Sequence, residues 1–310
     1  MPTLLAVPNV SEGRDAARIG LLEAAFTEGA LLLDRHSDPD HDRTVFTLAA
    51  GASELSGGAE ALVDALASGA EAALEAVDMS AYEGLHPAVG ALDVCPLVWL
   101  DPADRDAAAG AARAAAERIG ALGVPVFLYG ELASAPERRE RAYFRNGGLA
   151  ELWLRMESGE LRADHGPDEP HPRAGATLVT ARPPLAAFNV ELDSDDVEVA
   201  RAVAAGLRES GGGLPGVRAI GLALGSGRVQ VSTNLHDPAA TPLALVVERV
   251  RALAAPLGAR PVEAELVGLI PEAAMAGYPR DVPIRGFDPD RHTIERRIEG
   301  IERQPPPATD

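Results

Sequence analysis

Four short polar clusters in this chain carry the residue types that acid–base and ligand chemistry need. The sharpest is Glu83-Gly84-Leu85-His86-Pro87, which runs through Ala88-Val89 into Gly90-Ala91-Leu92-Asp93-Val94-Cys95-Pro96. Pro87 disfavours helical backbone at the preceding residue, so His86 is expected to project from an extended segment. Imidazole gains and loses a proton near neutral pH, which makes His86 either an acid–base catalyst or a polar residue with ordinary structural partners. A second cluster is His36-Ser37-Asp38-Pro39-Asp40-His41-Asp42-Arg43. Alternating acids there suggest calcium, and His36 and His41 beside aspartates suggest zinc, but the glycine and distal glutamate of a helix–loop–helix calcium site are missing. No metal is therefore expected, and a solvated hairpin loop accounts for the same residues. Arg43 leads straight into the apolar run Thr44-Val45-Phe46. A guanidinium in that position is costly unless paired, so Arg43 is a candidate for holding a carboxylate, the chain's own or a ligand's.

The third cluster, Asn9-Val10-Ser11-Glu12-Gly13-Arg14, reads as a turn and helix cap or as part of a site around Asn9. The fourth, Gln230-Val231-Ser232-Thr233-Asn234-Leu235, gathers Gln230, Ser232 and Asn234 at a strand end. Asn189 sits in the apolar run Phe188-Asn189-Val190, where a buried amide needs partners. Cys95 lies inside an apolar strand and is expected to be an inert thiol.

The elements that must position these residues follow from apolar periodicity. Strands are expected at 3–7, 30–34, 44–49, 91–100 and 124–129, with the polar stretch 35–43 as a loop. Helices are expected at 15–26, 56–77, 103–122 and 137–160. The second half repeats the order, with strands at 185–192, 217–224, 228–233 and 262–269. Its helices are expected at 195–209, capped by Ser194, and at 242–257. Gly225-Ser226-Gly227 suits a hairpin turn. Two successive βαββαβ units give an α+β fold of two ferredoxin-like subdomains. Residues 1–180 form the N-terminal subdomain, 181–302 the C-terminal one, and 303–310 a disordered tail. Residues 164–175, rich in proline, glycine and histidine, hold neither helix nor strand and read as a linker or a binding loop.

Composition narrows the chemistry further. The chain has 310 residues, 46% of them apolar but only 4% aromatic, so Ala, Leu and Val must fill the interior. Its net charge is -19, which repels nucleic acid and anionic lipid. All 28 basic residues are arginine, which excludes Schiff-base lysines, a pyridoxal phosphate anchor and lysine-bearing phosphate loops. With no apolar run long enough to span a membrane, no signal peptide and a single cysteine, a cytoplasmic protein is expected.

Taken together, several motifs are similar to glutamate formiminotransferase, the transferase domain of formiminotransferase-cyclodeaminase, here without the cyclodeaminase. They include Pro8-Asn9-Val10-Ser11-Glu12-Gly13, Asp42-Arg43-Thr44-Val45, His86-Pro87 with Gly90-Ala91-Leu92-Asp93-Val94-Cys95-Pro96, and Gln230-Val231-Ser232-Thr233-Asn234-Leu235. Val124-Pro125-Val126, Leu128-Tyr129-Gly130-Glu131, Gly166-Pro167, Gly175-Ala176-Thr177 and Ala187-Phe188-Asn189 extend the likeness from about residue 4 to residue 272. The resemblance implies transfer of a formimino group from N-formimino-L-glutamate to tetrahydrofolate, in histidine degradation and one-carbon metabolism. It also implies a homodimer, two subdomains packed around a central ligand groove, His86 as acid–base catalyst and tetrahydrofolate as co-substrate. The folate-contacting segment falls on Gly166, Pro167, His171, Arg173 and Gly175, and Asn9, His36, Asp38, His41, Arg43, Gln230, Ser232 and Asn234 are the candidates for substrate contact. Where the family commonly carries lysines, an acid or an arginine next to the histidine, and a tryptophan in the folate loop, this chain has Ala81, Glu83, Leu85, Ala88 and Ala174. Asp168 and Glu169 would repel folate's carboxylates. The alternatives are a paralogous one-carbon transferase with another donor or acceptor, and a non-catalytic folate-binding protein.

Overall fold

The computed structural model of the chain describes residues 4–50, 58–85 and 87–302. The chain divides into two compact units, Met1–Pro183 and Pro184–Asp310. His86 and the tail 303–310 lie outside the described residues.

The first unit is built on a seven-stranded sheet of β1 (Leu4–Ala6), β2 (Asn9–Val10), β3 (Leu31–Asp38), β4 (Arg43–Ala49), β5 (Leu92–Trp99), β6 (Val126–Leu128) and β7 (Thr177–Arg182). β1 and β2 each pair antiparallel with β4 and β5, β3 pairs antiparallel with β4, and β7 lies parallel between β5 and β6. Three helices, α1 (Ala16–Phe26), α2 (Ala59–Ala76) and α3 (Arg105–Ala121), share one core with the sheet. Asp15 caps α1 by accepting from the Ala17 and Arg18 amides, and the spacing of Ile19, Leu22 and Phe26 turns one face inward. The inward face of α3 is nearly all alanine, Ala108, Ala111, Ala112, Ala115 and Ala116, which suits close packing in a chain poor in aromatics.

A second core forms around Val94, Phe127, Phe144, Leu152, Met156 and Leu178. It draws on α4 (Ala142–Arg145) and α5 (Gly148–Glu157). The single helix expected over 137–160 is broken there because Gly147 and Gly148 adopt left-handed backbone, φ 77° and 72°. The register aligns His36, Val45, Asn9, Val94, Leu178 and Phe127 as one row across the sheet. Residues of that row, and those two positions away along each strand, share the sheet face that carries the second core.

The sequence pattern misses two features of this sheet. The expected loop 35–43 is mostly strand, with Asp38 opposite Arg43 and His36 opposite Val45. β3 is an edge strand, so cross-strand pairing to an apolar neighbour outweighs its polar composition. The strand β7, which follows the irregular segment directly, was not expected at all.

The second unit contains β8 (Ala186–Leu192), α6 (Val197–Leu207), β9 (Val217–Ala223), β10 (Val229–Leu235), α7 (Leu243–Ala254) and β11 (Pro261–Val267). Its strands lie in the order β11-β8-β10-β9, all antiparallel. Two short helices follow, α8 (Pro289–His292) and α9 (Ile294–Glu302). Asp196 caps α6, where Ser194 was expected; the Ser194 hydroxyl instead accepts from the Asp196 amide. The first unit repeats this arrangement in β1/β2, α1, β3, β4, α2 and β5. No helix among the described residues is long and apolar enough to cross a membrane.

Candidate functional site

The turn joining β3 to β4 organises the N-terminal cluster. The Asp38 carboxylate accepts from the Asp40 and His41 amides at 2.8 and 3.0 Å. Asp42 takes left-handed backbone, φ 49°, and aims its carboxylate at the Gly13 amide (2.9 Å) and at Arg14 (3.2 Å). Gly13 lies so close to the Asp38 carbonyl and the Arg43 amide that a Cβ would overlap both. The Thr44 hydroxyl donates to the Glu12 carbonyl and the Ser11 hydroxyl to the Gly90 carbonyl. Glu12 accepts from the Arg14 and Asp15 amides and pairs with Arg18. Residues 11–14 thus act as scaffold between the hairpin and the segment around Gly90, while the Asn9 amide donates to the Val7 carbonyl.

At the centre of this scaffold is a residue to which the sequence reading gave no role. Asp93 is fully buried. The pairing register of β5 skips it: Asn9 faces Val94 and Val10 faces Leu92, a bulge that re-aims the intervening side chain. One carboxylate oxygen accepts the Val89 amide at 2.8 Å. The other receives the guanidiniums of Arg43 and Arg145, each about nine-tenths buried. The expectation that Arg43 needs a carboxylate is met by the chain's own Asp93. The same reasoning applied to an acid within an apolar strand would have flagged Asp93, whereas Arg145 has no such signal, being one arginine among many in 137–160.

Tyr82 closes another side, donating to the His41 carbonyl at 3.0 Å. Burial pushes its phenol up to about 12, with the charges of Arg43, Asp93, Asp42 and Arg145 acting on it. The backbone is held on both sides of residue 86: the Leu85 amide donates to the Asp40 carbonyl, and Val89 is the residue that Asp93 grips.

The segment Gly166–Gly175 contains neither helix nor strand, as expected, yet it is well anchored. Gly166 and Gly175 take left-handed backbone, and a Cβ at either would overlap the Val124 or the Val89 carbonyl. Nδ1 of His171 accepts from the Ala174 amide (2.8 Å), and Arg173 pairs with Asp78 (3.2 Å). Asp168 accepts the Ala163 amide and pairs with Arg162. Ala174 is buried in the first core, so a bulky ring at that position would need a different local packing.

In the second unit Gln230, Ser232 and Asn234 alternate with the inward Val229, Val231 and Leu235, so they share the sheet face opposite the helical core. Across the register they face Glu191, Asn189 and Ala187. Asn189 donates to Glu265 at 3.2 Å, and Glu191 pairs with Arg285 (2.5 Å) and Arg228 (3.4 Å). Hydrogen bonds to the carboxylates of Glu263 first, and then of Glu191, hold the Arg285 guanidinium above its ordinary range. Gln230 is buried, and its side-chain oxygen has no hydrogen-bond partner among the described residues. The residues predicted to contact substrate therefore gather in two places: Asn9, His36, Asp38, His41 and Arg43 around the β3–β4 hairpin, and Gln230, Ser232 and Asn234 on the polar sheet face.

Residues 3–182 match the family described as the formiminotransferase domain, N-terminal subdomain, and residues 187–278 match the formiminotransferase domain. The chain belongs to the formiminotransferase family. It is 35% identical over 306 residues to a glutamate formimidoyltransferase of Thermoplasma acidophilum, covering 96% of this chain and 98% of that one. A glutamate formimidoyltransferase of Streptococcus pyogenes is 34% identical over 95% of this chain and 98% of its own length. The formimidoyltransferase-cyclodeaminase of Sus scrofa is 38% identical over 87% of this chain but over 50% of its own. This formiminotransferase therefore spans the transferase half of the two-activity relatives.

Proposed function

We propose that this transferase moves the formimino group of N-formimino-L-glutamate to tetrahydrofolate, its co-substrate, with His86 carrying the protons. The alignment with two glutamate formimidoyltransferases over nearly the whole of each chain carries the reading. N5 of tetrahydrofolate attacks the formimino carbon, forming an N–C bond and a tetrahedral intermediate. His86 accepts the proton released at N5 and returns it to the departing nitrogen. The C–N bond to glutamate then breaks, giving formiminotetrahydrofolate and glutamate. One imidazole titrating near neutral pH serves both steps.

The same reading takes residues 1–180 and 181–302 as the two subdomains, each ferredoxin-like. The matching order of β1/β2 to β5 and of β8 to β11 supports this. It takes Gly166, Pro167, His171, Arg173 and Gly175 as the folate segment, and the protein as a cytoplasmic homodimer. Asn9, His36, Asp38 and His41 beside Arg43, together with Gln230, Ser232 and Asn234, supply the polar contacts to substrate. Incubating the protein with formiminoglutamate and tetrahydrofolate should yield glutamate and formiminotetrahydrofolate in equal amounts. No transfer at saturating concentrations of both would refute the reading.

A further inference from the structure

One small region of the first unit gathers arginines in a chain whose net charge is -19. Arg43 and Arg145 share one buried carboxylate, so these two and Asp93 together carry a charge of +1. Asp93 is the ion-pair partner of Arg145 among the described residues, and Nε of Arg145 is buried with no hydrogen-bond partner there. Arg141 stands one helical turn before Arg145, the Arg145 amide donating to its carbonyl, so the two side chains leave the same helix face. Arg182, the last residue of β7, alternates with Leu178 and so belongs to the sheet face that α4 and α5 cover. Burial first, and then the charge of Arg141 among other groups, lower both Arg145 and Arg182 to about 10. Asp93 at Arg145, and Tyr129 at both, act in the opposite sense.

Resting on the function proposed above, we infer that Arg145, with Arg43 fixed by Asp93 and with Arg141 one helical turn away, is the receptor for a glutamyl dicarboxylate. Two carboxylates match the cluster for a physical reason. Guanidiniums accept planar carboxylates in a forked geometry, and a partly buried excess of cations gains most from an anion that shares its low-dielectric surroundings. Both reactants contain a glutamyl group, in the formimino donor and in the tail of folate, so one chemistry has two sources.

The test is Arg145→Gln, with Arg141→Gln, one helical turn away, as a second variant. Each is checked for retained circular dichroism and then read in two arms. In steady state, KM for formiminoglutamate and KM for tetrahydrofolate are measured separately. In calorimetry, binding of L-glutamate and of folate is compared with that of pteroate, which lacks the glutamyl group. The expected result for Arg145→Gln is a loss of ~10–100-fold, the scale of one charged hydrogen-bonding group. It should fall on one reactant more than the other and leave pteroate binding unchanged. A rise in donor KM with weakened L-glutamate binding assigns the cluster to the donor. A rise in folate KM, with folate reduced to pteroate-like affinity, assigns it to the folate tail. A folded Arg145→Gln with both KM values and both affinities unchanged overturns the inference, as does an equal loss for folate and pteroate. Because calorimetry needs no turnover, the cluster can be judged even if wild-type protein transfers no formimino group, which would refute the function alone.

Discussion

Replacing Asp93 by Asn keeps the volume of the side chain and an oxygen for the Val89 amide, but removes the charge that Arg43 and Arg145 share. Breaking a buried ion pair by removing one partner costs ~3–5 kcal/mol, because the remaining charge is left uncompensated. Here two guanidiniums are stranded, each about one-tenth exposed. That residual hydration places the expected loss nearer ~3 kcal/mol, a large share of the ~5–15 kcal/mol that stabilises an ordinary domain. Both tryptophans, Trp99 on β5 and Trp153 on α5, belong to the first unit, so their fluorescence follows that unit's unfolding. With an m-value of ~2–3 kcal/mol per molar urea for a unit of this size, the midpoint should fall by ~1–1.5 M. Adding Arg145→Met to Asp93→Asn should recover part of the loss, since the second stranded charge leaves with it. A midpoint within ~0.3 M of wild type at unchanged m would refute the view of Asp93 as the hub of this site.

His86→Ala should retain folate binding by calorimetry and lose ~10²–10⁴ in turnover, the usual contribution of general acid–base catalysis; near wild-type turnover would remove His86 from the mechanism. Gly13→Ala should lower stability by ~1–3 kcal/mol, since the added Cβ meets the Asp38 carbonyl and the Arg43 amide rather than a movable side chain, and scanning calorimetry should show a lower Tm. Burial pushes the Cys95 thiol up to about 12. A raised thiol pKa keeps the proton on in the native state at all lower pH, so a thiol reagent at pH 8 should label Cys95 only after unfolding; prompt labelling of native protein would contradict that burial.

How far the sequence could be read depended on the range of the forces involved. The order strand, helix, strand, strand, helix, strand was legible in both halves because each element carries its own apolar period. Asp15 and Pro242 mark helix starts through purely local chemistry, whereas the cap of α6 falls on Asp196 and not on the expected Ser194. The extension of β3 through Arg35, His36, Ser37 and Asp38 was not legible, since its cause is a hydrogen-bonded neighbour rather than its own composition. Arg43 could be flagged as a charge in need of a partner, but its distance from Asp93 along the chain hid which carboxylate answers it. Arg145 joins them from a helix that the two glycines interrupt, a break that matters only once the chain is packed.

The exposed flank of β3 shows how a strand can be both near a site and safe at a sheet boundary. Among the described residues β4 is the one strand that pairs with it, which leaves β3 at the edge of the sheet. Asp34, Arg35, His36 and Asp38 crowd that margin with charge and polarity, which discourages a second chain from adding there. The polar residues that make this strand hard to recognise from composition are therefore the ones that let it end the sheet without templating aggregation.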